Sequence, residues 1–271
     1  MAIRTDLAVE AKSLWEKSAE KTTELEGVRA TQRGEITEVE ILDESGASSL
    51  GKPIGRYLTM ELPRYCANVR KSAEKLADEL GKLMHLKKED SVMVIGLGNR
   101  AVTPDALGPQ TVERLFLTRH LIENLPQQFG ACRSVSALSP GVLATTGIET
   151  LESVRGAVEH VKPHCLIAID ALAAGSIERL CRTVQLSNAG IAPGSGVGNR
   201  RAAFDAQSLG IPVYALGVPT VVDAQTEEHM IVTPRDIDAQ INYLSAVLAG
   251  GLNLALHADF DYDDFAQFAT F

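Results

Sequence analysis

Two aspartates stand where an α/β chain places its chemistry. Asp105 lies in Gly96-Leu97-Gly98-Asn99-Arg100-Ala101-Val102-Thr103-Pro104-Asp105-Ala106-Leu107-Gly108-Pro109, directly after the apolar run Val92-Met93-Val94-Ile95. Asp170 follows a second apolar run, Cys165-Leu166-Ile167-Ala168-Ile169, and opens Ala171-Leu172-Ala173. In an open α/β sheet, ligands bind beyond the carboxyl ends of the strands, so each aspartate is expected just past a strand end. Two carboxylates brought together can hydrolyse an amide without a covalent intermediate. Like-charge repulsion keeps a proton on one of them, and the ionised partner takes a proton from water. The apolar surroundings of Asp170 favour it as the acid. Spacing alone leaves a structural reading open: Asp105 could stabilise the first turn of a following helix, and Asp170 could accept hydrogen bonds at a strand end.

The glycine-rich segment Gly190-Ile191-Ala192-Pro193-Gly194-Ser195-Gly196-Val197-Gly198-Asn199-Arg200-Arg201 could turn several backbone N–H groups toward an anion or a substrate carbonyl. It lacks the Gly-Lys-Ser/Thr ending of a phosphate loop and the spacing of a dinucleotide fingerprint. Asn99, Gly194, Ser195, Gly196, Gly198, Asn199 and Arg200 are therefore candidate substrate-binding residues, beside the alternative of a plain tight loop. His120, His160 and His164 show no metal-ligand spacing, and Pro163 breaks the helix that would align the last two. No metal site and no cofactor is expected. Neither Ser139 nor Ser195 lies in a GxSxG elbow, which argues against a serine hydrolase. Cys66, Cys132, Cys165 and Cys181 form no CxxC pair and read as buried reduced thiols.

The elements that must position these residues follow from periodicity. Thr5 to Glu10 starts a capped helix, with Leu7, Leu14 and Trp15 on its apolar side. Residues 34–42 and 56–62 alternate polar and apolar, giving a β-hairpin subregion over 34–62 that turns at Gly51 to Gly55. Val69 to Leu86 is an amphipathic helix with Leu76, Leu80 and Leu83 inward. The runs at 92–96, 165–169 and 212–217 are short and continuously apolar, as strands covered on both faces require, and 135–138 reads as another strand. Helices are expected over 107–125 and 237–256. The pattern gives one α/β domain over 1–271, a largely parallel or mixed twisted sheet with helices on both faces. A small antiparallel β element lies near the N-terminus, and 259–271 forms a loosely held acidic tail. The net charge of −9 disfavours direct nucleic-acid binding. No apolar run reaches membrane-spanning length and no secretory signal opens the chain, so a cytoplasmic protein without membrane contact is expected.

These segments, together with Arg4-Thr5-Asp6-Leu7-Ala8-Val9-Glu10-Ala11, Ser139-Pro140-Gly141-Val142-Leu143-Ala144-Thr145-Thr146-Gly147-Ile148-Glu149, Gly217-Val218-Pro219-Thr220-Val221-Val222-Asp223-Ala224 and Val232-Thr233-Pro234, resemble the germination protease family over nearly the whole chain. The resemblance implies an endopeptidase that degrades small, acid-soluble spore proteins in the spore core during germination. It implies a fold related to the hydrogenase maturation peptidases (phosphorylase/hydrolase-like), and a homo-oligomer, a tetramer. The family's two essential aspartates fall on Asp105 and Asp170, which raises catalysis above the structural reading. Members are made as zymogens, whereas only Met1, Ala2 and Ile3 precede Arg4 here. A long insertion of many relatives is reduced to a short link between Asp223 and Val232. Two alternatives remain from other classes: a metal-dependent peptidase of the hydrogenase-maturation type, and a non-catalytic member binding a peptide or anion.

Overall fold

A computed structural model describes residues 5–18, 25–63, 68–194, 202–224 and 230–268. Helix α1 (Ala8–Ser18) leads into β1 (Val28–Arg33), β2 (Ile36–Ile41), helix α2 (Glu44–Leu50) and β3 (Gly55–Glu61). As the alternation requires, β2 and β3 pair antiparallel, with Val39 opposite Tyr57. The link between them is α2 rather than a tight turn alone, because the Asp43 side chain caps a helix by accepting the Gly46 N–H. Strand β1 pairs antiparallel with β2 and has no counterpart in the sequence reading. Five of its six residues are exposed, so it carries no apolar signature.

Helix α3 (Val69–Met84) turns Leu76, Leu80 and Leu83 inward, and β4 (Val92–Gly96) is buried throughout. A 3₁₀ turn (Thr103–Asp105) then precedes α4 (Leu107–Val112), α5 (Arg119–Asn124), α6 (Pro126–Phe129) and β5 (Val135–Leu138). The helix expected over 107–125 is therefore broken. In the gap the Phe116 N–H donates to Asn253 Oδ1 and the Thr118 hydroxyl donates to the Arg133 carbonyl, so these groups are satisfied outside a helix. Next come α7 (Leu143–Thr146), α8 (Thr150–Val161), β6 (Cys165–Ala174), a 3₁₀ turn (Ile177–Arg179) and β7 (Thr183–Ser187). The chain continues through α9 (Ala206–Leu209), β8 (Val213–Asp223), β9 (Ile231–Val232), α10 (Ile237–Leu256) and α11 (Tyr262–Phe268).

All the strands form one mixed sheet in the order β1-β2-β3-β7-β8-β6-β4-β5, with β9 added beside β8. The block β8-β6-β4-β5 is parallel, while β7 and the three N-terminal strands run antiparallel to their neighbours. Strand parity sorts the core. Cys165, Ile167 and Ile169 of β6 join Leu76 and Leu80 of α3 and Leu244 and Leu248 of α10 on one face. Leu166 and Ala168 join Val154 and Val158 of α8 on the other. Asp170 continues the even series and so takes the α8 side of the sheet. The segment read as a loose acidic tail is held in part: Phe265 of α11 is buried, with ring centroids 5.9 Å from Phe116 and 5.8 Å from Phe260. Among the described residues no helix is long and apolar enough to cross a membrane.

Candidate active site

Strand β6 outruns its neighbour. The last residue of β4, Gly96, pairs with Ile169, and the Leu97 N–H donates to the Ile169 carbonyl at 2.8 Å. From Asp170 to Ala174, β6 continues against β8 alone among the named strands. Asp170 is thus inside a strand rather than past its end, because β8 runs on beside it and supplies the ladder. Its position is still beyond the carboxyl end of β4. There the Ala171 N–H donates to Asp170 Oδ1 at 2.9 Å.

Asp105 reaches the same place from the 3₁₀ turn that follows β4. The turn closes with the Asp105 N–H on the Val102 carbonyl at 2.8 Å, and the Thr103 hydroxyl anchors it to Asp238 of α10 at 3.0 Å. The Asn99 N–H donates to Asp105 Oδ2 at 2.7 Å. Two glycines make this approach possible. Gly98 has φ +110°, and a Cβ there would collide with the Asp105 carbonyl oxygen. A Cβ at Gly108 would come within 2.7 Å of the Ile169 carbonyl oxygen, so only glycine lets α4 rest on the strand ends.

A third carboxylate belongs to the site. Asp6 docks on the free side of β6, its N–H donating to the Ala173 carbonyl and its Oδ2 accepting the Ala173 N–H, both at 2.9 Å. Gln185 accepts the Ala8 N–H at 2.8 Å and donates to the Asp6 carbonyl at 3.1 Å. Lys52 donates to the same carbonyl at 2.9 Å, and Leu7 is fully buried with Leu172 and Ala174. Sequence reasoning absorbed Asp6 into a helix cap. The signal for it was present, since it sits in the first of the family strings.

Asp6, Asp105 and Asp170 line one cleft of about 430 Å³, together with Glu149 from the start of α8 and Thr220 of β8. Burial pushes the Asp170 carboxyl well above the usual carboxylate range; the charges of Asp105 and then Asp6 push it the same way, against the Ala171 N–H. No Lys, Arg or His lines the cleft among the described residues. Exposed large apolar side chains stand in its lining or next to it along the chain. Val102 and Ile231 line it, and Leu143, Ile148 and Met230 are chain neighbours of the lining residues Val142, Glu149 and Ile231. Such a rim suits the apolar side chains of an extended polypeptide.

Of the other candidate residues, Gly194 lines the cleft. Asn99 serves it through its backbone, while its side chain accepts the Ala101 N–H at 3.0 Å. Ser195, Gly196, Gly198, Asn199 and Arg200 lie outside the described residues. No group of three His, Cys, Asp or Glu side chains among the described residues converges as a metal cage. Cys165 and Cys181 are buried thiols pushed up to about 12, Cys132 is only half-buried, and Cys66 lies outside the described residues.

The family model for germination protease matches residues 6–229, a span that contains all three cleft aspartates. A germination protease of Caldanaerobacter subterraneus subsp. tengcongensis is 44% identical, with 94% of each chain covered. One from Clostridium perfringens is 37% identical, with 98% of each chain covered. A third, from a Geobacillus species, is 45% identical over 82% of this chain and 64% of its own. With an α/β cleft of carboxylates and similarity along nearly its whole length, the chain belongs to the germination protease family of peptidases.

Proposed function

We propose that this peptidase cleaves small, acid-soluble spore proteins in the core of the germinating spore, with Asp105 as base and Asp170 as acid. The observation that carries the reading is the contrast between the two carboxyls of the cleft. Asp170 is buried, with its carboxyl pushed well above the usual carboxylate range, whereas Asp105 is half-exposed and accepts an N–H donor. Asp105 takes one proton from a water molecule, whose oxygen forms the bond to the scissile carbonyl carbon. Asp170 gives its proton to the carbonyl oxygen, producing a neutral tetrahedral diol. The C–N bond then breaks as Asp105 passes its proton to the leaving nitrogen, and a diol hydroxyl returns a proton to Asp170. The products are a carboxylic acid and an amine, and both aspartates end as they began.

The mixed sheet, with the site at its strand ends, fits kinship with the hydrogenase maturation peptidases. A homotetramer and zymogen control are part of the same reading. The test is incubation of the wild-type chain, Asp105→Asn and Asp170→Asn with a purified small, acid-soluble spore protein, followed by mass spectrometry. Wild type should cut at discrete bonds, with or without a chelator. Each variant should keep the wild-type circular dichroism spectrum and cut nothing. Full cleavage by either variant would refute the assignment.

A further inference from the structure

The β6–β8 ladder slips once. Leu172 pairs with Pro219 and Ala173 with Val221, so Thr220 is an extra residue without a counterpart on β6. A bulge of this kind interrupts the alternation of faces and re-aims a side chain, and bulges concentrate beside active sites. Here it sets Thr220 on the wall of the cleft that holds Asp105 and Asp170.

Thr220 is 1% exposed, and its hydroxyl is shielded from solvent with no hydrogen-bond partner among the described residues. Its carbonyl is engaged, accepting the Thr233 hydroxyl at 2.8 Å, which ties the bulge to the residue after β9. A buried hydroxyl left unpaired destabilises a fold, so its presence asks for a partner that arrives later. Thr59 of β3 also has a buried unpartnered hydroxyl, but it does not line the cleft and so supplies an internal comparison.

We infer that Thr220 is a further catalytic residue, whose hydroxyl donates a hydrogen bond to the scissile carbonyl oxygen as that oxygen gains charge. The inference rests on the aspartate mechanism above. Asp170 delivers a proton to that oxygen, and a second, neutral donor stabilises the charge before the transfer is complete. The bulge fixes the Thr220 backbone on the cleft wall, so a turn of the side chain alone brings the shielded hydroxyl to the oxygen as substrate enters.

The experiment compares Thr220→Val, Thr220→Ser and Thr59→Val on the same purified spore protein, measuring kcat and KM together with the thermal midpoint. Removing one such donor costs about 10²-fold in rate. The expected result is a fall of about that size in kcat for Thr220→Val, with KM nearly unchanged. Thr220→Ser retains the hydroxyl and should recover most of the kcat lost in Thr220→Val, while Thr59→Val should stay near wild type. Because Val replaces an unpaired hydroxyl by a methyl of the same shape, Thr220→Val should also match or exceed the wild-type midpoint. Wild-type kcat in Thr220→Val would overturn the inference. So would a lowered midpoint or failure to fold, since either shows the hydroxyl serving structure. If Asp105→Asn and Asp170→Asn are inactive while Thr220→Val is fully active, this inference alone fails. If the aspartate variants remain active, the mechanism beneath it fails.

Discussion

Replacing Asp170 by Asn should change the pH dependence of stability in a manner fixed by linkage. The side chain is only 5% exposed. In the unfolded chain it releases its proton near the ordinary value of 3.8, while in the fold burial, Asp105 and Asp6 hold that proton to well above it. Between those two pH values the native state carries one proton more than the unfolded state. Stability therefore falls as pH rises, by about 1.4 kcal/mol per pH unit. The contribution is complete below the unfolded value and has gone once pH passes the native one. The Asn variant has no proton to lose at this position. Urea unfolding of both proteins across a pH series, at one protein concentration so that any assembly equilibrium is common to both, gives the difference directly. Plotted against pH, wild type minus variant should slope downward by about 1.4 kcal/mol per unit above pH ~4, then flatten where Asp170 ionises in the fold. Groups that do not interact with Asp170 cancel in the difference. In an Asp105→Asn background the flattening should come at lower pH, because one of the two opposing charges is gone. A difference that stays level above pH ~4 would show Asp170 ionising as freely in the fold as outside it. It could not then serve as the acid.

Two further outcomes follow from other parts of the molecule. Gly98→Ala should cost about 1–3 kcal/mol of strain from the left-handed backbone and, by displacing Asp105, about 10²-fold in kcat/KM; wild-type kinetics would show that the close approach does not matter. His257 behaves oppositely to Asp170. It is buried with Nε2 3.0 Å from the Phe116 carbonyl, and burial pushes its imidazole down to about 4 from 6.5. The native state then binds fewer protons than the unfolded chain between those values. Stability present above pH ~6.5 should be lost as pH falls toward 4, by about 3 kcal/mol in all. His257→Gln should flatten that acid limb in a pH series of thermal midpoints, and an unchanged limb would refute it.

Much of the parallel core was legible because its central strands open as short runs of apolar residues. Val92–Gly96 and Cys165–Ile169 announce strands covered on both faces, and α10 matches its expected bounds of 237–256. What stayed hidden depends on contacts distant in sequence. Asp170 falls inside β6 only because β8 continues beside it, and no local pattern encodes that overrun. β1 is exposed along nearly all its length and so carries no apolar signature, and β7, Thr-Val-Gln-Leu-Ser, offers only two apolar residues in a short alternation although all five of its residues are buried. Asp6 was read as a cap because its role depends on Ala173, 167 residues away. Thr220 stands in one of the family strings, but the register slip that sets it on the cleft exists only between two paired strands.

The seam between β3 and β7 bears on how the chain is made. Tyr57 lies opposite Ser187, and across this one ladder the N-terminal meander joins the rest of the sheet. During synthesis the meander emerges early, while its partner strand appears only after well over a hundred further residues. For that interval the outer side of β3 is an open template able to pair with another nascent chain. Closing so distant a contact also slows folding. Trigger factor-like holding, low temperature or slow expression should therefore raise the soluble yield of this chain more than that of a protein whose sheet closes locally.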